Sequence, residues 1–259
     1  MEILKKTDTY ITQQARPFNC CNTLIFYLKL LKIVFKAASV AKKGLYDDQE
    51  WIKNSIQVLQ ALESVGCKFE ISGRNNFFQL DTPCVFVANH MSTLETFVLP
   101  CLIHPFKKIT FVVKESLLNY PVFKYVMRSR EPIAVTRTNA REDFRRVMVQ
   151  GVKKIEQGYS IVVFPQTTRT NYFAEQQFNS IGVKLAKKAG VPVVPVALKT
   201  NAWSNGKLIK DFGPIHPEKK IYFQFGPPIS AQEIVKNPKQ AHQRTVAFIK
   251  ECLSQWQAD

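Results

Sequence analysis

The sequence lacks a long uncharged apolar run and several signatures of common enzyme classes. A membrane-spanning helix needs about 20 mostly apolar residues, and the closest candidate, residues 24–35, contains Lys29 and Lys32. No secretory signal peptide is recognisable. The chain has no G-x-G-x-x-G, Walker P-loop, H-E-x-x-H or G-x-S-x-G pattern. Dinucleotide-binding, ATP-binding, zinc-peptidase and α/β-hydrolase functions therefore lack support.

The cysteines lack the spacing of a metal site or a redox motif. All 6 are scattered, none forms a C-x-x-C, and no Cys/His group has zinc-ligand spacing. We therefore expect no metal, and we interpret the cysteines as small apolar residues of a protein facing a reducing cytosol.

Acidic residues are scarce relative to basic ones. The chain has 36 Lys and Arg against 20 Asp and Glu, a formal net charge of +16. Such a surplus indicates a polyanionic partner, which leaves nucleic acid, an anionic membrane and phosphorylated substrates as alternatives. No nucleic-acid recognition motif is visible, so we expect no nucleic-acid partner.

The N-terminal region predicts a basic amphipathic helix over residues 22–43. At 100° per residue, Asn22 and a row of lysines share one stripe, and most other positions are apolar. This pattern favours a helix lying on an anionic membrane surface, its lysines reaching lipid phosphates. An ordinary helix packed on the protein is the alternative. We accordingly predict a membrane-interface region at 1–46, an α/β domain at 47–259, and monotopic association with the cytoplasmic face of a membrane.

After residue 46, short apolar runs alternate with helical patterns. Such alternation, with runs apolar on both faces, predicts an α/β fold with a mixed, largely parallel sheet flanked by helices. The predicted strands are 67–71, 84–88, 109–113, 133–135, 160–164, 191–198 and 221–225. The predicted helices begin with one that follows Asp47 and ends at Gly66, and continue with 93–103, 115–127, 140–157, 179–189 and 231–256.

His90 is the histidine best placed for chemistry. It follows the predicted strand 84–88, and ligands of open α/β sheets bind beyond the carboxyl ends of strands. If His90 lies in the loop and Glu95 in the first turn of the next helix, the carboxylate can orient the imidazole as a general base. The alternative is structural, because residues 92–95 also read as a capping box in which Glu95 only satisfies the helix start.

Basic and hydroxyl side chains follow three other predicted strands. Residues 164–170 place three threonines and Arg169 in one loop, a composition suited to binding phosphate. Taken alone, a polar loop with one solvated arginine is the better interpretation. Arg137 and Lys114 lie just beyond two further strands and could converge on the same anion, although each is a weak signal by itself.

Four segments occur in a fixed order: NHMSTLE at 89–95, KESLL at 114–118 followed by EPIAVTR at 131–137, FPQTTRT at 164–170, and VPVVPV at 191–196. Together they resemble the motif blocks of the glycerolipid acyltransferase superfamily, which includes the 1-acylglycerol-3-phosphate acyltransferases. The resemblance implies transfer of a fatty acyl chain from an acyl thioester to a lysophospholipid hydroxyl. Lysophosphatidic acid is the leading acceptor, the donor is acyl-CoA or acyl-carrier protein, and no cofactor is implied.

The resemblance also assigns roles to individual residues. His90 would deprotonate the acceptor hydroxyl, and Glu95 would orient His90. Lys114, Arg137, Arg169 and Thr168 would bind the acceptor phosphate. The pocket for the acceptor or the acyl chain would be formed by Phe164, Pro165, Gln166, Thr167 and Pro195.

Three positions depart from the family pattern. Glu95 stands where the family block has Asp, Gln166 stands where it has Glu, and Thr167 stands where it has Gly. The last two lie where the acceptor should bind, so another lysolipid or glycerol 3-phosphate remains an alternative acceptor. An inactive lipid-binding protein on the same fold is the alternative from another functional class.

Overall fold

The computed structural model describes residues 2–13, 21–166, 168–207 and 209–257. Thr167 lies outside the described residues. The described part of the chain forms an α/β fold around one eight-stranded sheet, which confirms the predicted fold class. The strands are β1 (Tyr10–Ile11), β2 (Phe69–Ser72), β3 (Val85–Ala88), β4 (Ile109–Lys114), β5 (Ile133–Val135), β6 (Ser160–Val163), β7 (Val193–Lys199) and β8 (Ile221–Phe225).

The sheet is largely parallel, with the strand order β1-β2-β8-β7-β3-β6-β4-β5. Strands β7, β3, β6, β4 and β5 are neighbours and run in the same direction. Among the strand pairs of the described residues, only β1–β2 and β7–β8 are antiparallel. The loops that leave β3, β4, β5, β6 and β7 therefore emerge at one edge of the sheet. His90, Arg137 and Arg169 lie in the loops after β3, β5 and β6, and Lys114 is the last residue of β4.

Helices cover both faces of the sheet. They are α1 (Asn22–Lys42), α2 (Asp48–Glu63), α3 (Asn75–Phe78), α4 (Leu94–Ile103), α5 (Lys124–Ser129), α6 (Ala140–Glu156), α7 (Ile181–Ala189), α8 (Ala231–Lys236) and α9 (Pro238–Gln255). Successive residues of β3 point to opposite faces. Phe86 and Ala88 join a core with α1, α2 and α4, whereas Val85 and Val87 join a core with the helices α6 to α9. Both faces of the central strands are consequently apolar, as parallel sheets require.

The ends of several helices follow from local capping. Asp47 accepts a hydrogen bond from the Glu50 backbone N–H at 2.8 Å, and Asn139 accepts one from Glu142 at 3.1 Å. Ser230 and Glu233 form a reciprocal capping box. Gly190 ends α7 at φ 67°, a left-handed conformation that glycine adopts without steric cost.

Two predicted helices are interrupted, and proline explains both corrections. The prediction at 115–127 divides into a 3-10 helix, Glu115–Asn119, and α5. Tyr120 is extended because Pro121 disfavours helical geometry in the residue before it. The prediction at 231–256 divides into α8 and α9, since Asn237 is not helical before Pro238. Proline is tolerated as the first residue of α9 because the N–H it lacks would have no helical partner there.

Helix α1 packs one side against the protein and leaves another side exposed. Phe26 and Leu30 are buried in the core, and Phe26 contacts Trp203 edge to face at 4.8 Å. The exposed side carries an apolar row of Leu24, Leu28, Leu31 and Phe35, each 40% or more exposed. None of the helices in the described ranges is long and apolar enough to cross a membrane.

Candidate active site

The loop after β3 is fixed to the neighbouring strand by a buried asparagine. The Asn89 side chain donates to the Leu198 carbonyl and accepts from the Leu198 N–H, both at 2.8 Å. These two bonds continue the β3–β7 ladder by one residue beyond the end of β3. The next residue, His90, therefore starts from a defined position at the edge of the sheet.

His90 and Glu95 form a direct pair. His90 lies in the loop, Glu95 lies in the first turn of α4, and His90 Nδ1 is 2.9 Å from Glu95 Oε1. The carboxylate is completely buried, whereas 13% of the His90 side chain is exposed. An ionised carboxylate can only accept a hydrogen bond, so the Nδ1 nitrogen carries the proton and Nε2 is left as the basic nitrogen.

The Glu95 carboxylate is held by several donors besides His90. Oε1 accepts hydrogen bonds from the backbone N–H groups of Met91 at 2.7 Å and Ser92 at 2.9 Å. Oε2 accepts from the hydroxyls of Thr200 at 2.6 Å and Ser92 at 2.9 Å. Burial by itself would raise the pKa of Glu95, but the hydrogen bond and the electrostatic interaction with His90, together with the bonds from Thr200 and Ser92, outweigh it and lower that pKa. Glu95 therefore contacts both the histidine and the backbone before the helix. The predicted capping box at 92–95 is not formed in the described structure, because the Ser92 hydroxyl accepts from the Leu94 N–H at 3.1 Å instead of from the Glu95 N–H.

The loop after β6 contacts His90 from its other side. The Phe164 ring stacks on the imidazole with centroids 4.4 Å apart and planes 20° from parallel. Gln166 is buried; its Oε1 accepts from the His90 backbone N–H at 2.7 Å, and its Nε2 donates to Thr170 Oγ1 at 2.9 Å. The amide of Gln166 thus joins the two loops.

Arg169 in the same loop contacts residues from two other segments. Its Nη1 donates to Thr93 Oγ1, and its Nη2 lies 2.8 Å from Asp211 Oδ1. Thr93 Oγ1 in turn donates to Asp211 Oδ1 at 2.9 Å. The guanidinium is mostly buried, with 16% of the Arg169 side chain exposed. A mostly buried cation that keeps an accessible edge is a suitable group for binding an anion.

Arg137 belongs to the same charged region. Its backbone adopts φ 64°, and its N–H donates to Asp143 Oδ2 at 2.7 Å, which holds this turn in place. Partial burial, followed by the like charge of Arg169, lowers the pKa of the Arg137 guanidinium. The two arginines therefore lie within electrostatic range of each other, as two groups that share one anion would.

The remaining predicted residues are less closely connected. Lys114 is exposed at the end of β4, in register with Val135, and the contacts around Arg169 involve Thr93 and Asp211 rather than Lys114. Thr168 is exposed and accepts from Lys210 at 2.9 Å. Pro165 is buried, and its carbonyl accepts from Asn179 at 2.6 Å.

Pro195 is the predicted site residue that the structure places farthest into the sheet. It lies in β7 opposite Val87, three residues before His90 along β3. Its carbonyl accepts from the Gly226 N–H at 2.8 Å. The site is instead contacted by Leu198, which lies near the end of β7 and bonds Asn89, and by Thr200, which follows β7 and bonds Glu95.

Sequence reasoning missed three polar residues of the site. Thr93 lies inside the motif block that contains His90. Thr200 follows β7 just as His90 follows β3, so the position of Thr200 at a strand end was a signal that could have identified it. Asp211 lies in an irregular segment with no motif. Only the fold brings it to Arg169.

One of two concave surfaces in the described structure includes a residue next to His90. A cavity of about 290 Å³ begins at Met91, next to His90, and its walls include Tyr172, Phe173 and Leu253. A groove of about 530 Å³ between α6 and α7 contains none of the predicted site residues. Within the described ranges, no group of three or more His, Cys, Asp or Glu side chains could hold a metal ion.

Comparison with known proteins shows that the sequence is similar to those of named acyltransferases. The chain is 27% identical over 209 residues to a 1-acyl-sn-glycerol-3-phosphate acyltransferase of Pseudomonas aeruginosa, covering 80% of this chain and 76% of that protein. It is 33% identical over 133 residues to a chloroplastic 1-acyl-sn-glycerol-3-phosphate acyltransferase of Brassica napus, covering 51% of this chain but only 37% of the relative.

A solved structure has the same fold. The crystal structure of the 1-acyl-sn-glycerophosphate acyltransferase of Thermotoga maritima superposes with a TM-score of 0.68 at 20% identity, covering 93% of this chain and 97% of that one. A family model described as Acyltransferase matches residues 68–199, just over half of the chain and the part that contains all four motif blocks. The protein therefore belongs to the acyltransferase family.

Proposed function

We propose that the protein transfers a fatty acyl chain from an acyl thioester to the hydroxyl of lysophosphatidic acid, giving phosphatidic acid. The relatives named above act as 1-acyl-sn-glycerol-3-phosphate acyltransferases, which supports this acceptor. The observation that carries the proposal is the pair formed by His90 and the buried, ionised Glu95 at 2.9 Å. Acyl transfer from a thioester needs a positioned base for the acceptor hydroxyl, and this pair supplies one.

His90 is the proposed general base. With Nδ1–H bound to Glu95, Nε2 accepts the proton as the acceptor oxygen attacks the thioester carbonyl carbon. The new C–O ester bond forms, the C–S bond breaks, and the imidazolium returns its proton to the departing thiolate. The Glu95 carboxylate stabilises the imidazolium that exists between these steps. No covalent intermediate on the protein is required, since the thioester is already activated and positioning lowers the barrier.

Arg169 and Arg137 are the proposed phosphate-binding residues, with Lys114 and Thr168 at the same edge. Arginine binds phosphate through pairs of parallel N–H groups. Arg169 is linked to the His90 loop through Thr93, three residues from His90, so a phosphate held by Arg169 would bring the glycerol hydroxyl toward the imidazole. This arrangement suits an acceptor whose phosphate and reactive hydroxyl share one small glycerol unit.

The acyl donor is proposed to be acyl-CoA or acyl-carrier protein. The cavity that includes Met91, the residue after His90, could admit part of a thioester. Its walls combine Phe173 and Leu253 with Lys199 and Lys250, so both an apolar chain and a phosphorylated carrier arm would find partners there.

The proposed location is the surface of an anionic membrane, on the cytoplasmic side. The exposed row on α1 (Leu24, Leu28, Leu31 and Phe35) provides apolar area for insertion, and the exposed Lys32 and Lys36 flank that row. Cys67, Cys84, Cys101 and Cys252 are buried without disulfides, consistent with a reducing compartment. Within the predicted region 1–46, we propose that the exposed side of α1 contacts the membrane, whereas β1 and the buried side of α1 pack with the acyltransferase domain at 47–259.

The function can be tested by thiol release from an acyl thioester in mixed micelles, with and without lysophosphatidic acid. Acceptor-dependent release by the wild type, abolished in His90→Ala, is the expected result. His216→Ala is the matched control, because His216 is partly exposed and pairs only with Glu218 at 3.1 Å in the described structure. Equal release by His90→Ala and wild type would refute the assigned base. Absence of turnover with both donors and a panel of lysolipids would favour a lipid-binding protein.

Membrane contact can be tested with the double substitution Leu28→Glu and Phe35→Glu. Deleting residues 1–46 is a poorer test because Phe26 and Leu30 belong to the core. We expect the double variant to lose sedimentation with anionic liposomes. Val149→Glu with Val235→Glu is the matched control, since both valines are more than half exposed on other helices. Equal liposome binding by the two variants would show that α1 is not the contact surface.

A further inference from the structure

Asp211 is the only acidic side chain that contacts Arg169 in the described residues. It lies in the segment between β7 and β8, beyond the family match at 68–199. Its Oδ1 meets both Arg169 Nη2 at 2.8 Å and the Thr93 hydroxyl at 2.9 Å, while Arg169 Nη1 donates to the same hydroxyl. The three side chains form a closed triangle at the proposed phosphate site.

The backbone around Asp211 is well anchored. The indole N–H of the buried Trp203 donates to the Asp211 carbonyl at 3.2 Å. The backbone N–H of Ser204 donates to the Pro214 carbonyl at 3.1 Å, and Gly213 packs so closely on Ser204 that a Cβ at that position would overlap its carbonyl. A carboxylate fixed in this way can orient a partner side chain.

We propose that Asp211 is a positioning residue for the acceptor phosphate. A guanidinium has five N–H donors in a rigid plane. In the described structure Asp211 and Thr93 engage Nη2 and Nη1, so the plane is fixed while up to three N–H groups remain for an oxyanion. The inference rests on the proposed function, because it assigns Asp211 to the same phosphate site.

The opposite role would be competition, in which the acceptor phosphate must displace Asp211 from Arg169. The two roles predict effects of opposite sign. If Asp211 orients Arg169, removing its charge weakens phosphate binding. If Asp211 competes, the same change strengthens binding, because a ligand gains affinity when the competent state becomes more populated. The hydrogen bond from Thr93 to Asp211 favours orientation, since it ties the pair to the His90 loop instead of leaving a single ion pair.

The test compares wild type with Asp211→Asn and Thr93→Val, using the full chain in nonionic micelles. We expect Asp211→Asn to raise the KM for lysophosphatidic acid about fivefold, the effect of losing a partly exposed ion pair, while kcat stays within a factor of two. Thr93→Val should change the KM in the same direction. Asp81→Asn is the matched control because Asp81 is exposed and precedes β3, at the opposite end of that strand from His90. A lowered or unchanged KM in Asp211→Asn would overturn the proposal.

A binding measurement separates this inference from the proposed function. Dodecyl phosphate carries the anion without a reactive hydroxyl, and dodecanol carries the chain without the anion. The Kd for dodecyl phosphate should rise in Asp211→Asn by the same factor as the KM, with dodecanol binding unchanged. Equal weakening of both probes would indicate a structural defect and refute a positioning role. If wild type binds dodecyl phosphate in an Asp211-dependent way but does not acylate lysophosphatidic acid, the proposed function fails and the positioning role stands.

Discussion

Replacing Glu95 with aspartate, the residue of the family block, should impair the protein. The substitution withdraws the carboxylate by about 1.5 Å, one carbon–carbon bond. With the backbone in place, the contact with His90 Nδ1 opens from 2.9 Å to roughly 4.4 Å, beyond hydrogen-bond range. The loop cannot readily follow the shorter side chain, because Asn89 holds it to Leu198 and Gln166 holds the His90 N–H.

The magnitude follows from the bond that is lost. A hydrogen bond to a charged group contributes about 1.5–3 kcal/mol, so Glu95→Asp should lower kcat by roughly 10- to 100-fold. The acceptor KM should change less than twofold because the substitution leaves Arg169 untouched. The assay is thiol release at saturating donor, with thermal unfolding to verify that the variant folds. Glu95→Gln keeps the side-chain length and removes the charge, so comparing the two variants separates the effect of side-chain length from that of the charge. Wild-type kcat in Glu95→Asp would refute the reasoning.

Two further predictions concern stability. Asn89→Ala should lower the free energy of unfolding by about 2–4 kcal/mol, because it leaves the buried N–H and C=O of Leu198 without their partners. Urea denaturation measures this loss, with the exposed Asn75→Ala as the control. A loss below about 1 kcal/mol would contradict the bonding described. Burial, only partly opposed by Asp48, lowers the pKa of His104 in the folded protein, so the unfolded chain binds the proton more readily. Stability should therefore fall as the pH drops below about 6.5, and a pH series in which His104→Gln loses stability as steeply as wild type would exclude this histidine as a cause.

The sequence was sufficient for the framework of the fold because its signals are local. Apolar runs bounded by polar residues located the main strands, and caps such as Asn139 and Gly190 located helix ends. The errors also have local causes. The helical spacing of apolar residues continues through Pro121 and Pro238, although the helix itself is interrupted before both prolines. Strand β1 was not predicted because its two residues, Tyr10 and Ile11, are too few to show an alternating pattern.

The contacts within the site also fall into two groups, those between residues close in sequence and those between residues far apart in sequence. His90 and Glu95 lie five residues apart, so a strand end and a helix start were enough to expect their contact. Thr200 and Asp211 reach the same region from more than 100 positions away. Their contacts depend on β7 lying beside β3 and on the fold of the segment after β7, and neither is encoded in the residues that flank His90.

The departures at Glu95 and Gln166 act on the same histidine. Gln166 fixes the His90 backbone from the β6 loop, and Glu95 fixes its imidazole from α4. Gln166 needs both ends of its amide, an acceptor for the His90 N–H and a donor for Thr170; a carboxylate would lose the donor. Glu95 needs its full length to reach His90 and Thr200 together. In this chain the two residues therefore together support the proposed base, and Arg169 and Arg137 remain as the proposed phosphate-binding residues.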